Sequence, residues 1–308
     1  MNTIYFDNPT NGDKRREEIY NGQIYTYSPC KASLEFVAFA KSLIEEAFGG
    51  LDPITAQYHL PVEKYVAILS KLKPTFIHHP ESKKFLQAML REKNFDPELT
   101  YFDVPRMRSS TSDGYLTSGI AYAFHAHRDT WYSAPMCQIN WWLPIYEVES
   151  GNVMAIHPKY FNQPIKNGSA SYNYQEWAKT SRLNAANHIK EDTRVQPHPE
   201  EPLDLAEQLR VVSPPGGMTL FSAQHLHSSV ANTTGKTRFS IDLRTVHLGD
   251  LRTIQGAKNI DAGCTGTTMM DYLRVSDLQS IPEEVIEAYM NGNPNKLLLA
   301  SVDTSKKA

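Results

Sequence analysis

Cysteine is scarce in this chain of 308 residues, which contains only Cys30, Cys137 and Cys264. Three scattered thiols are too few for a disulfide scaffold or a cysteine-rich zinc site. Neither sign of charge is in excess, because 31 Lys and Arg stand against 34 Asp and Glu, for a net charge of −3. A nucleic-acid partner that needs a basic surface is therefore not expected.

Long apolar segments are also missing. No stretch reaches the roughly 18 apolar residues that would cross a bilayer, so no membrane partner is expected. The first residues contain no run of signal-peptide type. These absences predict a soluble protein of the reducing cytoplasm. The length allows one large domain or two ordinary ones, and no internal repeat divides it.

The first hundred residues are predicted to be mainly helical. Segments 33–48, 61–72 and 80–91 repeat apolar residues at intervals of three and four. The last two segments open with Pro61 and Pro80, which suit a first helical turn. We expect these helices to flank a core formed by the rest of the chain.

From Tyr101 onward, short β-rich runs alternate with Gly, Pro, Asn and Ser, a pattern typical of a β-sandwich or barrel. A polar insertion at about residues 162–204, with one predicted helix over 174–188, is more typical of a lid than of a structureless loop. We predict a single domain with four parts: a helical flank (1–100), a barrel core (101–250), the lid-like insertion within that core, and a C-terminal extension (251–308).

The segment with the most specific chemistry reads FHAHRD, at the end of a strand-like run. Side chains alternate along a strand, so His125, His127 and Asp129 share one face while the chain stays extended. A His-x-Asp pair with one distant His is the facial triad of non-haem Fe(II) oxygenases. Either His225 or His227, in the later sequence QHLH, can supply the distant imidazole.

An arginine and a serine follow on the last predicted strand. Arg238 and Ser240 point to one face of that strand, whereas Phe239 and Ile241 point to the other. A buried guanidinium binds a carboxylate through two parallel hydrogen bonds, and a neighbouring hydroxyl completes them. A metal triad beside such a clamp indicates an acidic co-substrate that chelates the metal.

These elements together resemble the Fe(II)/2-oxoglutarate-dependent oxygenases, specifically the phytanoyl-CoA dioxygenase-like branch. The resemblance covers roughly residues 101–248 and implies a double-stranded β-helix, the jelly-roll or cupin-like barrel, mainly β with flanking helices. It is carried by the following motifs, in this order along the chain: His127-Arg128-Asp129, Trp141-Trp142-Leu143-Pro144, the Asn152 turn before His157-Pro158, Pro215-Gly216-Gly217, His227 and Arg238-x-Ser240.

The resemblance implies roles for individual residues. His127, Asp129 and His227 would bind Fe(II), and Arg238, helped by Ser240, would bind the distal carboxylate of 2-oxoglutarate. With O2 as the second co-substrate, the enzyme would oxidise a small polar metabolite, most simply by hydroxylation, and release succinate and CO2. Such a reaction would fit specialised metabolism. Related halogenases carry a small residue in place of Asp129, so halogenation is not expected.

Further side chains are candidates for binding co-substrate or substrate. Gln138, Asn140 and Trp142 share one face of the next predicted strand, and alternate residues of a barrel strand point inward. The candidates for substrate binding are Arg106, Arg108, Trp131 and Arg244. The arginines would bind an anionic or polyhydroxyl substrate; alternatively, they form salt bridges within the protein. Trp131 would contact the substrate; alternatively, it packs in the protein interior.

Two other functions remain compatible with the sequence. His125-x-His127 could begin the three-His, one-Glu site of a cupin-type enzyme that does not use 2-oxoglutarate, although the residues after Asp129 lack the usual Glu. A barrel that binds a ligand without turnover is the third reading, but the complete triad and clamp favour the oxygenase. The identity of the substrate and the oligomeric state are not predicted.

Overall fold

The computed structural model describes residues 3–117, 125–180 and 196–292, together with Pro294, Asn295 and Leu297. None of the helices it describes has the length and apolar character that a membrane span requires. The helices are α1 (Gly12–Tyr20), α2 (Lys31–Phe48), α3 (Val62–His78), α4 (Pro80–Glu92), α5 (Tyr174–Thr180), α6 (Leu248–Thr253) and α7 (Glu283–Met290). The strands are β1 (Ile4–Phe6), β2 (Ile24–Tyr27), β3 (Thr100–Phe102), β4 (Arg106–Ser110), β5 (Ile139–Pro144), β6 (Met154–Ile156), β7 (Leu209–Arg210), β8 (Met218–Ser222), β9 (His227–Ser229), β10 (Arg238–His247) and β11 (Leu273–Arg274).

Helices α2, α3 and α4 form where the apolar periodicity predicts them, which confirms that part of the sequence analysis. At the start of α2, the Ser33 hydroxyl accepts the otherwise unpaired N–H of Cys30 at 2.9 Å. At its end, Gly49 has a φ of 59°, a left-handed conformation that glycine adopts without strain.

Helix α3 continues beyond its predicted end at Leu72. It passes through Pro74 and ends at His78, although an internal proline removes one helical hydrogen bond. The extra turn carries Phe76, which is fully buried, with its ring centroid 5.7 Å from that of Phe36 in α2. We infer that this packing compensates for the lost hydrogen bond.

The strands form two sheets. The larger has the order β1-β2-β8-β5-β10-β3-β11, and β4 pairs with β10 next to β3; the smaller has the order β7-β6-β9. Among the strands named above, β1 and β2 pair in parallel and all other pairs are antiparallel. The expected sheet-rich fold with flanking helices is confirmed, whereas closure of the two sheets into a barrel is not seen in the part of the chain that the structure describes.

Three strands were not predicted: β11, of two residues, in the C-terminal extension, and β1 and β2 near the start of the chain. β1 and β2 come from the region predicted to be mainly helical and extend the large sheet beyond β8. They have only three and four residues, too few to establish an alternating pattern. Most of the strand-like run that ends in FHAH (119–127), the second half of the helix predicted over 174–188 and residues 298–308 lie outside the described residues.

The two faces of the large sheet differ in character. Phe239, Ile241 and Leu243 of β10 are fully buried in the main apolar core, together with residues of α2, α3 and α4. The intervening residues of β10 point to the opposite face, because side chains alternate along a strand. The register adds cross-strand neighbours to that polar face, which contains Arg106 and Arg108 of β4, Asn140 and Trp142 of β5, and Arg238, Ser240, Asp242 and Arg244 of β10.

Candidate metal centre

His127 and His227 lie opposite each other on two antiparallel segments. The N–H of His127 donates to the carbonyl of His227 at 3.0 Å, and the N–H of His227 returns the hydrogen bond at 2.9 Å. Their ring centroids are 4.3 Å apart. Two residues after His127, the chain leaves the extended conformation and forms a 3-10 turn over Asp129–Tyr132. The turn brings Asp129 to the two imidazoles.

The three side chains form a group that could hold a metal ion. Oδ1 of Asp129 lies 3.5 Å from Nε2 of His127 and 3.8 Å from Nε2 of His227. One ligand atom from each residue lies within 4.8 Å of the others, and all three residues are buried. Among the described residues, neither His125 nor His225 belongs to this group.

The tautomer of each imidazole is set by a backbone carbonyl. Nδ1 of His127 lies 2.9 Å from the carbonyl oxygen of His125, and Nδ1 of His227 lies 3.1 Å from that of His225. A carbonyl only accepts hydrogen bonds, so each Nδ1 must carry the proton when the ring is neutral. The lone pair is then on Nε2, the nitrogen next to Asp129, as a metal ligand requires.

The protonation states also favour metal binding. Burial and the neighbouring His127 lower the pKa of His227 to about 3. Burial by itself would raise the pKa of Asp129, but Arg244 and the two histidines outweigh it and hold this pKa well below its usual value. At neutral pH the site therefore offers a neutral imidazole and a carboxylate, the deprotonated forms that bind metals.

Arg128, which lies between His127 and Asp129 in the sequence, is completely buried and holds the 3-10 turn in place through hydrogen bonds to other segments. Its Nη2 donates to the carbonyls of Tyr160 at 2.7 Å and Gln163 at 2.8 Å, and its Nε lies 3.1 Å from Oδ2 of Asp261. The indole N–H of Trp131 donates to the other oxygen of Asp261 at 2.8 Å. Trp131, a predicted substrate residue, is thus fully buried and anchored to the C-terminal extension.

Arg238 and Ser240 lie on the polar face of the large sheet, with both side chains buried. Nη1 of Arg238 donates to the carbonyl of Asn152 at 3.2 Å, and its guanidinium lies 5.8 Å from the ring centroid of Trp142. Nε of Arg238 and Oγ of Ser240 have no hydrogen-bond partner within the described part of the chain. Burial lowers the pKa of Arg238 to about 10; Asp242 acts to raise this pKa and Arg108 acts to lower it. Arg238 therefore stays charged at neutral pH.

Two buried threonines on the same face were missed by the sequence analysis. Thr219 of β8 pairs with Trp142 of β5, and Thr26 of β2 pairs with Thr219. Directly paired residues point to the same side of a sheet, so both belong to the face of Ser240. Their hydroxyls lack partners among the residues described. The alternation in the run MTLFS predicts the direction of Thr219; nothing in the sequence predicts that of Thr26.

The arginines predicted to bind substrate are paired with carboxylates. Arg106 forms an ion pair with Asp103, and Arg108 donates to both oxygens of Asp242 at 2.8 and 3.1 Å. Each of these two guanidinium groups therefore has a carboxylate partner. Gln138 and Arg244 both contact Asp129. None of these pairings follows from the spacing of residues along the chain.

Lys73 is a further cation that the sequence analysis did not single out. It belongs to α3 and is half-buried near the charged part of the polar face. Burial lowers its pKa to about 7; Arg108 and Arg238 act in the same direction and Asp242 opposes them. In the sequence it looks like an ordinary surface lysine of an amphipathic helix.

Comparisons with known proteins give fold likenesses only. No family model matches the chain, and no curated protein does either. Among solved structures it is similar to EvdO2 from Micromonospora carbonacea var. aurantiaca complexed with 2-oxoglutarate (15% identity, 77% of this chain and 91% of that chain, TM-score 0.44). It is also similar to the non-haem α-ketoglutarate-dependent epimerase SnoN from nogalamycin biosynthesis (11% identity, 76% of this chain and 82% of that chain, TM-score 0.38). A third similar structure is the non-haem monooxygenase ThoJ (12% identity, 94% of this chain and 99% of that chain, TM-score 0.40). Likenesses at this level carry no weight for the activity of this chain.

Proposed function

We propose that this chain is a non-haem Fe(II) oxygenase that uses 2-oxoglutarate and O2 as co-substrates, built as one double-stranded β-helix domain. The observation that carries the proposal is the buried group of His127, Asp129 and His227, in which both imidazoles present Nε2 to the same carboxylate. The buried Arg238 on the polar face of the large sheet adds the second element, a cation suited to a dicarboxylate.

The donor set fits Fe(II). Two imidazole nitrogens and one carboxylate oxygen form the 2-His-1-carboxylate set, which leaves coordination positions open for co-substrates. Bound iron, with 2-oxoglutarate and O2, would supply the oxidation of an unactivated C–H bond, with release of succinate and CO2. The protein side chains have to present the ligands in their deprotonated state and keep the site shielded from water.

The polar face fits the distal carboxylate of 2-oxoglutarate. A carboxylate accepts up to four hydrogen bonds, and Arg238 and Ser240 present buried donors that lack partners in the described chain. Trp142, at 5.8 Å from the guanidinium, limits the positions that Arg238 can adopt. These residues would hold the co-substrate in one orientation, and Thr219 and Asn140 are further candidates to contact it.

A small polar metabolite is the proposed primary substrate, and hydroxylation the proposed outcome. Arg106 and Arg108 keep their proposed role near the substrate, but their pairing with Asp103 and Asp242 favours a polyhydroxyl substrate over an anionic one. The substrate role of Trp131 stays a prediction. The lid-like insertion at about 162–204, the cytoplasmic location and the link to specialised metabolism are part of the same proposal.

The proposal is tested by adding Fe(II) and 2-oxoglutarate to the protein without oxygen. A visible charge-transfer band is expected, and succinate should form when O2 and a substrate are admitted. His127→Ala and Asp129→Ala should abolish both signals, whereas His125→Ala should retain the band. Absence of the band in a folded wild-type protein would favour the ligand-binding barrel or the cupin-type enzyme, neither of which uses 2-oxoglutarate. Loss of the band in His125→Ala would mean that His125, and not only the proposed triad, takes part in the site.

A further inference from the structure

The two oxygens of Asp129 have different surroundings. Oδ1 is the oxygen next to the imidazoles, at 3.5 Å from His127 and 3.8 Å from His227. Oδ2 instead accepts hydrogen bonds from Nε of Arg244 and from Nε2 of Gln138, each at 3.0 Å. One oxygen is thus available to a metal, and the other is held by two protein donors.

Arg244 is itself held in place by a buried carboxylate. Its Nη1 lies 3.1 Å from Oδ2 of Asp103, and its backbone N–H donates to Oδ1 of the same residue at 2.7 Å. The side chain of Asp103 is only 2% exposed. Arg244 therefore bridges two buried carboxylates, Asp103 and Asp129, and Asp103 is paired with Arg106 as well.

Gln138 is oriented by a residue of the C-terminal extension. The hydroxyl of Tyr272 donates to Oε1 of Gln138 at 2.7 Å, and Nε2 of Gln138 also donates to Oδ1 of Asn140 at 2.8 Å. An ionised carboxylate only accepts hydrogen bonds, so the amide nitrogen must face Asp129 and the amide oxygen must face Tyr272. Burial raises the pKa of Tyr272 well above its usual value, so its hydroxyl keeps the proton that it donates.

We propose that Arg244, Gln138 and Tyr272 are positioning residues that make Asp129 a ligand through Oδ1 alone, and this inference rests on the proposed metal centre. The other carboxylate oxygen, Oδ2, could coordinate the metal only if its hydrogen bonds from Arg244 and Gln138 were broken. The network therefore preserves a coordination position that the co-substrates need. Arg244 and Gln138 act on the metal through Asp129, in contrast to the substrate and co-substrate roles predicted from the sequence.

The experiment measures Co(II) binding to the metal-free protein, which does not depend on turnover. The variants are Arg244→Met, Gln138→Leu and Tyr272→Phe, and the readouts are the Kd for Co(II) and the visible d–d spectrum of the Co(II) form. Removal of groups that orient a metal ligand typically weakens metal binding about 10- to 100-fold. We expect a loss of that size for Arg244→Met and Gln138→Leu, a smaller loss for Tyr272→Phe, and an altered spectrum in all three.

Control variants remove similar groups away from the metal centre. Arg16→Met removes an arginine that is 13% exposed and paired with Asp250 at 2.6 Å. Gln57→Leu removes a buried amide that donates to the carbonyl of Ser112 at 3.0 Å. Both should retain the wild-type Kd and spectrum, even if they lower the melting temperature. A general loss of stability would not change the spectrum of the metal that remains bound.

Wild-type Kd and spectrum in Arg244→Met and Gln138→Leu would overturn the inference. If those two variants do not fold, Tyr272→Phe decides, because it removes a single hydroxyl; an unchanged spectrum there also overturns the inference. A folded wild-type protein that binds no Co(II) would reject the metal centre itself and with it the proposed function. The failure of the network and the failure of the function are thereby distinguished.

Discussion

Replacing Arg238 by Met should reverse the preference of the protein between two 2-oxo acids. The pair is 2-oxoglutarate and 2-oxopentanoate, which carries a methyl group in place of the distal carboxylate. In the wild type, the carboxylate would meet buried donors of Arg238 and Ser240 that have no partner among the described residues. In Arg238→Met, the same carboxylate would be buried without a counter-charge, whereas the methyl group would meet an apolar side chain.

The magnitude follows from the burial of the clamp. Arg238 is 6% exposed, Trp142 is 5% exposed and Ser240 is fully buried. Truncating one member of a buried, hydrogen-bonded charge pair costs about 2–5 kcal/mol, and about 1.4 kcal/mol corresponds to a tenfold change in Kd. With so little solvent to compensate, we expect 2-oxoglutarate to bind about 100- to 1,000-fold more weakly to Arg238→Met. Replacing both partners by apolar groups should be far less costly, because the guanidinium and the carboxylate are then removed together and neither charge is left buried alone.

Calorimetric titration of the Mn(II)-loaded protein without oxygen measures both affinities without turnover. The wild type should prefer 2-oxoglutarate, and Arg238→Met should prefer 2-oxopentanoate. Arg16→Met, which removes a half-buried arginine elsewhere, should keep the wild-type preference. If Arg238→Met lowers the affinity for both acids equally, the guanidinium does not bind the distal carboxylate, and the assignment of the clamp is wrong.

Three further predictions concern stability. The nearby His247 and the hydrogen bonds from Arg16 and Tyr20 outweigh the effect of burial and lower the pKa of Asp250 to about 2, so Asp250→Asn should lose about 2 kcal/mol of the free energy of unfolding in urea at neutral pH. A carboxylate whose pKa is lower in the folded than in the unfolded protein stabilises the fold at pH values above the unfolded pKa. The difference in stability between the wild type and Asp250→Asn should therefore shrink below about pH 4. The control is Asp13→Asn, which should change stability little because the Asp13 side chain is 90% exposed. Ile241→Ala should cost about 2–5 kcal/mol in the same assay because the side chain is fully buried, and an equal loss in the exposed Leu34→Ala would contradict this. Zn(II) at about 100 times its Kd should stabilise the metal-free protein by about 2.7 kcal/mol, seen as a higher melting temperature that a chelator reverses; no shift would mean that the native state does not bind the ion.

The parts of the site that depend on local spacing could be predicted from the sequence. His127 and Asp129 are two positions apart in one motif, and the alternation along a strand gives the shared face of Arg238 and Ser240. The strand β10 and helices α2, α3 and α4 show clear periodicity over ten or more residues, so their positions are predicted well. The strand pattern could not predict the 3-10 turn at Asp129, which departs from the extended conformation assumed for the motif.

The pairing of distant groups could not be predicted. Arg244 contacts Asp129 and Asp103 only because of the register of β10 and the turn at Asp129. Asp261 and Tyr272 lie in a segment whose sequence gives no sign that it reaches the metal centre. A side chain can donate to any nearby acceptor, and only the three-dimensional arrangement selects which one.

The paired backbone hydrogen bonds between His127 and His227 have a consequence for biosynthesis. The two ligands are one hundred residues apart in the sequence, and each depends on the other for its position. A growing chain released from the ribosome only as far as β8 would carry His127 and Asp129 without their partner. The complete ligand set therefore arises only after His227 has emerged, and two residues that contact its neighbourhood, Asp261 and Tyr272, emerge later still. A chain that ends between β8 and β9 would therefore lack one of the three candidate metal ligands.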